Sequence, residues 1–296
     1  MQNVDYLVDK HCNRFHQLNH DYTSTGHSDL LTRLKRSVGG LLTTVQEHPY
    51  MVSIRYEGGH ICGGTILSET VILTAGQCVE PDTFLDLLYV KVGDTDINFK
   101  GSWHKVNETI LHNEYQKLKL ARGDSTYFVN DLALLKLESP ITIDNITTKV
   151  VQLFDQDEEV HGYDRGTIVG WGYTPVIVTD PMERNSSITT RRRVQRLSTK
   201  LAQVELDIVS EKKCSELAPE SDLNGQFCTY TLGRVACYGD FGGPIMLRGR
   251  QAGIMSWTQA TQSNLCYQGY AFTAFTEITK FRKWIDEHTK VLSGKN

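Results

Sequence analysis

The chain of 296 residues has no marked excess of charge: 31 Lys and Arg stand against 35 Asp and Glu, a formal net charge of −4. That balance leaves out the broad basic surface on which nucleic-acid binding depends, so no nucleic-acid partner is expected. No apolar run reaches the length of a membrane helix, which excludes a helical span. The N-terminus, Met1-Gln2-Asn3-Val4-Asp5, is too polar for the apolar core of a signal peptide. No cofactor and no metal are expected. What is present is ordinary for a globular protein, with 40% hydrophobic and 22% charged residues. The length fits two similar-sized barrels sharing a cleft, or one large all-β unit. Seven cysteines in such a chain point to disulfides and hence to secretion, with the leader expected upstream of Met1.

One stretch organises the rest: Cys237-Tyr238-Gly239-Asp240-Phe241-Gly242-Gly243-Pro244. It resembles the nucleophile loop of trypsin-like serine proteases, C-x-G-D-S-G-G-P, at every fixed position except the serine. Phe241 stands there, and a phenyl ring has no lone pair with which to attack a carbonyl. Upstream, Cys62-Gly63-Gly64-Thr65-Ile66-Leu67 resembles C-G-G-[ST]-L-I, and Leu73-Thr74-Ala75-Gly76-Gln77-Cys78 resembles L-T-A-A-H-C. Gln77 thus occupies the place of the catalytic histidine, and a primary amide cannot shuttle a proton near neutral pH. Asn130-Asp131-Leu132-Ala133-Leu134-Leu135-Lys136-Leu137 resembles N-D-I-A-L-L-K-L, so Asp131 is the retained third member of a degenerate triad. The Gly170-Trp171-Gly172 strand, Ser256-Trp257-Thr258 (S-W-G in the family) and Ala274-Phe275-Thr276-Glu277-Ile278 complete the series in the right order.

The resemblance implies an all-β fold of two antiparallel six-stranded Greek-key barrels with a cleft between them, plus a C-terminal helix. Its parts would be barrel one at about 37–140, a connection at about 141–160, barrel two at about 161–276 and the helix at about 277–292. Residues 1–36 would be a prosegment, cut after Arg36 or left as a basic tail. In the family the new terminus pairs with the acid before the nucleophile, here Asp240; Ser37, where a branched apolar residue is usual, weakens that insertion. Early strands read as Tyr50–Tyr56 and Thr65–Ile72 with a turn at Gly58-Gly59. Residues 113–129 look like an enlarged loop above the cleft. The C-terminal apolar spacing of Ile278, Phe281, Trp284 and Ile285 reads as a helix packed on the second barrel.

The resemblance also locates the departures. Val235 stands at the base of the primary specificity pocket. Thr258 and Thr273 replace the two wall glycines, and with Ser256 and Trp257 they describe a blocked slot. The N–H groups of Gly239 and Phe241 would be a remnant oxyanion hole. The implied disulfides are Cys62–Cys78, Cys214–Cys228 and Cys237–Cys266, leaving Cys12 free or intermolecular. Glycosylation sequons stand at Asn107, Asn145 and Asn185. A basic run, Arg184, Arg191, Arg192, Arg193, Arg196 and Lys200, reads either as a solvated loop or as a site for sulfated polysaccharide.

Losses at nucleophile, base, pocket floor and both walls together imply a serine protease homologue without catalysis that works by binding a protein. The phrasing around Gly63 and Gln77 is similar to the inactivated paralogues of parasitic mites, which implies interference with a host cascade such as complement. The rivals are an arthropod immune-cascade cofactor, a polyanion-binding protein, and, least favoured, an active endopeptidase using other residues.

Overall fold

Alternating and fully apolar runs of four to ten residues in the first half of the chain close into a barrel. The computed structural model describes residues 40–120, 126–181, 189–234, 236–260 and 270–294, with backbone alone at 174–181, 189–195, 259–260 and 270–271. After a short β1 (Leu41–Leu42), barrel one is made by β2 (Met51–Tyr56), β3 (Gly59–Ser68), β4 (Val71–Thr74), β5 (Leu88–Val92) and β6 (Ser102–Leu111). A separate ribbon of β7 (Gln116–Lys119) and β8 (Thr126–Val129) intervenes before the last barrel strand, β9 (Ala133–Leu137). The strands run antiparallel in the closed order β2-β3-β4-β9-β6-β5. Ile54, Ile66, Ile72, Leu88, Val90 and Leu134 fill the interior with no exposed surface. The stretch expected as one strand, Thr65–Ile72, is two: β3 and β4 meet at a turn at Glu69-Thr70, where the Thr70 N–H donates to Ser68 Oγ at 3.3 Å.

Barrel two contains β10 (Arg165–Gly170), β13 (Ala202–Asp207), β14 (Gln226–Leu232), β15 (Pro244–Leu247), β16 (Arg250–Ala260) and β17 (Tyr270–Glu277). Between the first two lies a second ribbon, β11 (Tyr173–Pro181) with β12 (Thr189–Leu197). The sheet runs β1-β13-β10-β15-β16-β17-β14. Its ends meet through a single antiparallel bridge, Ile208 with Thr229, so six strands curl round and β1 adds a seventh at the edge.

The C-terminal helix, Ile278–Leu292, buries Ile278, Phe281, Ile285 and Leu292. It does not rest on barrel two alone, as the sequence suggested. His112 of the first half packs edge-on against Phe281 (5.3 Å) and beside Trp284 (5.1 Å). The Lys136 ammonium of β9 caps the far end, donating to the Leu292 carbonyl and to Thr70 Oγ1. A cation at a helix C-terminus meets the negative end of the helix dipole, so the helix clasps both barrels. No helix among the described residues is long and apolar enough to cross a membrane.

Two disulfides are formed, Cys62–Cys78 and Cys214–Cys228. Cys237 is also disulfide-bonded; the partner expected for it, Cys266, lies outside the described residues, as do Cys12, Arg36 and Ser37.

The loop that follows Cys237 is held by a buried carboxylate. Asp240 accepts from the Gly172 N–H at 2.7 Å and the Cys237 N–H at 3.1 Å. It lies so close to β10 and its extension that a Cβ at Gly172 would stand 2.2 Å from Asp240 Oδ2, and one at Gly170 2.1 Å from Oδ1. Both contacts are far inside van der Waals range, against a side chain with no room to swing. Gly172→Ala should therefore destabilise the fold by about 3 kcal/mol, near the top of the usual range for one substitution. Urea unfolding of the variant beside wild type measures this; equal midpoints would refute the placement of Asp240.

Candidate functional site

The glycines of the two most specific motifs meet each other. A Cβ at Gly63 would lie 3.0 Å from Gly243 Cα, and the Gly63 N–H donates to the Phe241 carbonyl at 2.8 Å. Thr74 Oγ1 donates to the Gly63 carbonyl at 2.9 Å. The C-G-G strand and the loop around Phe241 are thus backbone-to-backbone neighbours, which is why neither tolerates side chains there. Phe241 is half-buried, packed on the core and set edge-on to Tyr238 at 5.6 Å. Gly239 adopts φ +93°, a backbone state open to glycine, and its carbonyl is engaged by His60 Nε2 at 2.8 Å.

His60 is one functional-looking residue that sequence reasoning did not place. Its other nitrogen meets Ser53 Oγ at 2.8 Å, a buried Ser–His pair. Ser53 is 2% exposed, and burial pushes the His60 pKa down to about 4. A serine sealed from solvent cannot reach a substrate, and the His60 Nε2 contact to a carbonyl oxygen requires it to donate there, leaving Nδ1 to accept from Ser53. The pair braces the Gly239 turn.

At the seam between the barrels lies Asp131, with no exposed surface. Its carboxylate accepts from the Gln77 backbone N–H and from Gln77 Nε2, each at 2.8 Å, and from Ser256 Oγ at 2.6 Å. Gln77 Nε2 donates as well to the Ser256 carbonyl. Both amide hydrogens are therefore committed, and the side chain is turned to the carboxylate. Burial drives the Asp131 pKa up to about 6, with the Ser256 and Gln77 hydrogen bonds pulling the other way. The Asp240 carboxyl is likewise pushed up to about 6 by burial. The structure brings Gln77, Asp131 and Ser256 together, and the amide at position 77 has no nitrogen that titrates near neutral pH.

The two threonines expected at the walls of the substrate slot are cross-strand neighbours. Thr258 and Thr273 face each other across the β16–β17 ladder. Thr258 Oγ1 donates to the Phe272 carbonyl at 2.8 Å and lies 3.4 Å from Thr273 Oγ1. Val235, expected at the pocket base, lies outside the described residues.

The stretch read as an enlarged loop, 113–129, holds the paired ribbon of β7 and β8. Its second strand, β8, packs on barrel two through a shared apolar cluster. Tyr127 of β8 contacts Trp257 at 5.8 Å, and Trp257 contacts Phe272 at 4.8 Å. Trp257 is 2% exposed, and Tyr127, Phe128 and Val129 are buried with it. Gln226 ties the seam, donating to the Phe128 carbonyl at 2.8 Å and accepting from Trp257 Nε1 at 3.1 Å. Glu80 clamps the other strand, accepting from Tyr115 Oη at 2.9 Å and pairing with Lys117 at 2.8 Å. The Trp257 side chain is thus enclosed by the ribbon, Gln226 and Phe272. The sequence did hold a trace of this. Gly76 departs from the family's alanine, and a Cβ there would meet Leu111 at 2.6 Å and Tyr115 at 2.9 Å.

Of the remaining predicted residues, Asn107 and Asn145 are exposed, Asn107 at an irregularity in β6 and Asn145 in a turn with φ +62°. Arg184 and Asn185 lie outside the described residues. Arg191, Arg192 and Arg193 fall on β12, in register with Thr179, Val178 and Ile177. Arg196 is exposed. Lys200 is ion-paired to Asp96 at 2.8 Å, so it does not act as a free charge of the basic run.

The family model for trypsin matches residues 37–285. Among curated proteins, trypsin of Sarcophaga bullata is 29% identical over 261 residues, covering 87% of this chain and 90% of that protein. Hypodermin-B of Hypoderma lineatum is 28% identical over 263 residues, covering 86% and 88%. Among solved structures, the scabies mite inactivated protease paralogue S-D1 superposes with a TM-score of 0.64 at 21% identity, over 87% of this chain and 97% of that one. At that identity the likeness is one of fold.

The Asp131 environment sets a pH dependence. A carboxyl whose folded pKa lies above the ordinary 3.8 favours the protonated form in the fold. Its stabilising share is therefore complete below about pH 4 and is lost as pH rises through about 6. Asp131→Asn should flatten that part of the Tm profile between pH 4 and 6.5, with Asp240 supplying the slope that remains. An unchanged slope in the variant would show that Asp131 is ionised throughout.

Proposed function

The chain belongs to the trypsin family, and we propose that it is a catalytically inactive member of it, secreted, acting by binding another protein and not by cleaving one. The observation that carries this is Gln77: at the position of the general base stands an amide whose hydrogens are already given to Asp131 and the Ser256 carbonyl. Phe241 supplies no nucleophile. The ribbon over Trp257 adds a second, independent obstacle, because re-exposing each large side chain of that cluster costs about 1.5–3 kcal/mol.

The similarity in fold to a mite protein described as an inactivated protease paralogue supports the reading, although the curated insect relatives bear the name trypsin. A protease-shaped surface that cannot turn over is suited to occupying a partner made for such surfaces, so the proposed partner is a component of a host protease cascade such as complement. A second reading has one observation in its favour. Arg191, Arg192 and Arg193 lie on a strand of a paired ribbon outside both barrel sheets, a scaffold on which basic side chains could meet a sulfated polysaccharide. Such contacts are screened within about 8 Å at physiological salt, so retention on heparin should fall steeply with ionic strength and should drop on changing Arg191, Arg192, Arg193 and Arg196 to Ala; equal retention of variant and wild type removes this reading.

Restoring Gln77→His and Phe241→Ser rebuilds a formal triad with Asp131, yet the double variant should not cleave Arg, Lys or aromatic peptide substrates at useful rates. Positioning can supply roughly 7–11 kcal/mol of a barrier, and the ribbon, Thr258 and Thr273 deny it. A small fluorophosphonate, which needs little pocket, should label the double variant and leave wild type untouched. Brisk peptide turnover by the double variant would mean that the cleft is open, and turnover by wild type would end the proposal of inactivity. Binding to purified cascade components, followed by surface plasmon resonance, should be the same for wild type and double variant; no binding to any of them would turn the search away from cascades.

A further inference from the structure

The outer face of barrel one carries an aromatic platform that the cleft does not use. Trp103 on β6 is 48% exposed. The Arg55 guanidinium backs its ring, with Cζ 4.8 Å from the ring centroid, and Tyr89 of β5 meets it edge-on at 6.3 Å. Arg55 is itself 7% exposed and fixed, donating to the Gly58 carbonyl at 2.9 Å and the Ile97 carbonyl at 3.1 Å. A cation held under one face of an indole keeps the ring in place, and its exposure leaves surface open to solvent. Lys105, which pairs with Tyr89 across the ladder, is held by Asp86 at 2.8 Å.

The same strand bears a sequon at Asn107-Glu108-Thr109. Along β6, Trp103 and Asn107 are exposed while His104 and Val106 between them are buried, so they share the outward face, roughly 13 Å apart at about 3.3 Å per residue. The ladder with β9 shifts register between Val106 and Glu108. A bulge of this kind re-aims one side chain, and here the residue between the shifted pairs is Asn107. We propose that Asn107 carries an N-linked glycan in the secreted protein and that the glycan lies back against Trp103 and Tyr89, its sugar C–H faces stacked on the indole. The occupant is covalently anchored beside the platform, which a free ligand is not. The inference rests on the secretory route and not on whether the cleft is inert.

The test uses the full chain secreted from a eukaryotic host. Intact mass should show glycan at Asn107, lost in Asn107→Gln. Native digestion by peptide N-glycosidase should release the Asn107 glycan several-fold faster from Trp103→Ala than from wild type. Removing the glycan should lower the wild-type Tm by roughly 2–4 °C and change tryptophan emission, whereas Trp103→Ala should show neither response. The emission measurement on wild type needs no platform variant, so it stands even if Trp103→Ala folds poorly. An unmodified Asn107, or a glycan whose removal leaves Tm and emission of wild type unchanged, would overturn the proposal.

Discussion

A carboxylate buried at a seam is the constraint on which this cleft depends. Asp131 has no access to water, so each of its oxygens must find donors inside the protein. It finds them on both sides: Gln77 from barrel one and Ser256 from barrel two. Thr276 Oγ1 donates to its backbone carbonyl at 3.0 Å, adding a second stitch across the seam. A residue at position 77 without a donor aimed at that carboxylate would leave it to the backbone N–H and Ser256 Oγ, one buried hydrogen bond short. A glutamine meets the structural demand of the site while having no chemistry to offer. The geometry of a catalytic centre and its reactivity are separable, because hydrogen-bond donation needs only an N–H, whereas general base catalysis needs a titrating lone pair near neutral pH.

The same separation appears in the loop after Cys237. Asp240 is satisfied by two backbone N–H groups, and the Gly239 carbonyl is taken up by His60. Nothing in that arrangement consults the side chain of residue 241. Phe241 turns to Tyr238 and the core, and the loop keeps its path.

This explains which parts of the protein were legible in its sequence. Motifs made of glycines and buried acids state backbone geometry: Gly63 and Gly243 touch, and Gly172 makes room for Asp240, so their presence fixed the two barrels and the location of the cleft. The structure sets the threonines at 258 and 273 opposite each other on a ladder, where directly opposed side chains share a face. The ribbon was not legible. Its length could be counted, but its docking depends on Tyr127, Phe128 and Trp257 meeting across a sequence separation that no periodicity encodes. The one local sign was Gly76, a small residue where Leu111 and Tyr115 need space. The C-terminal helix was legible, but its grip on barrel one was not, for a related reason: its apolar stripe predicts burial without naming the partner, and Lys136, which caps it, reads in isolation as a surface charge. The break in the strand at Glu69 was hidden by β-branched and apolar neighbours on both sides of the turn.

The ribbon has a consequence for competition. A segment held over Trp257 by a few residues of its own chain acts at an effective concentration on the order of millimolar, regardless of how dilute the protein is. A soluble peptide or inhibitor that packs on the Trp257 ring competes with that internal concentration, and with the buried aromatic area around it. Molecules that recognise proteases by packing on this tryptophan would first have to displace the ribbon. Contacts made elsewhere on the barrels carry no such cost, so the ribbon separates recognition at Trp257 from recognition of the outer faces.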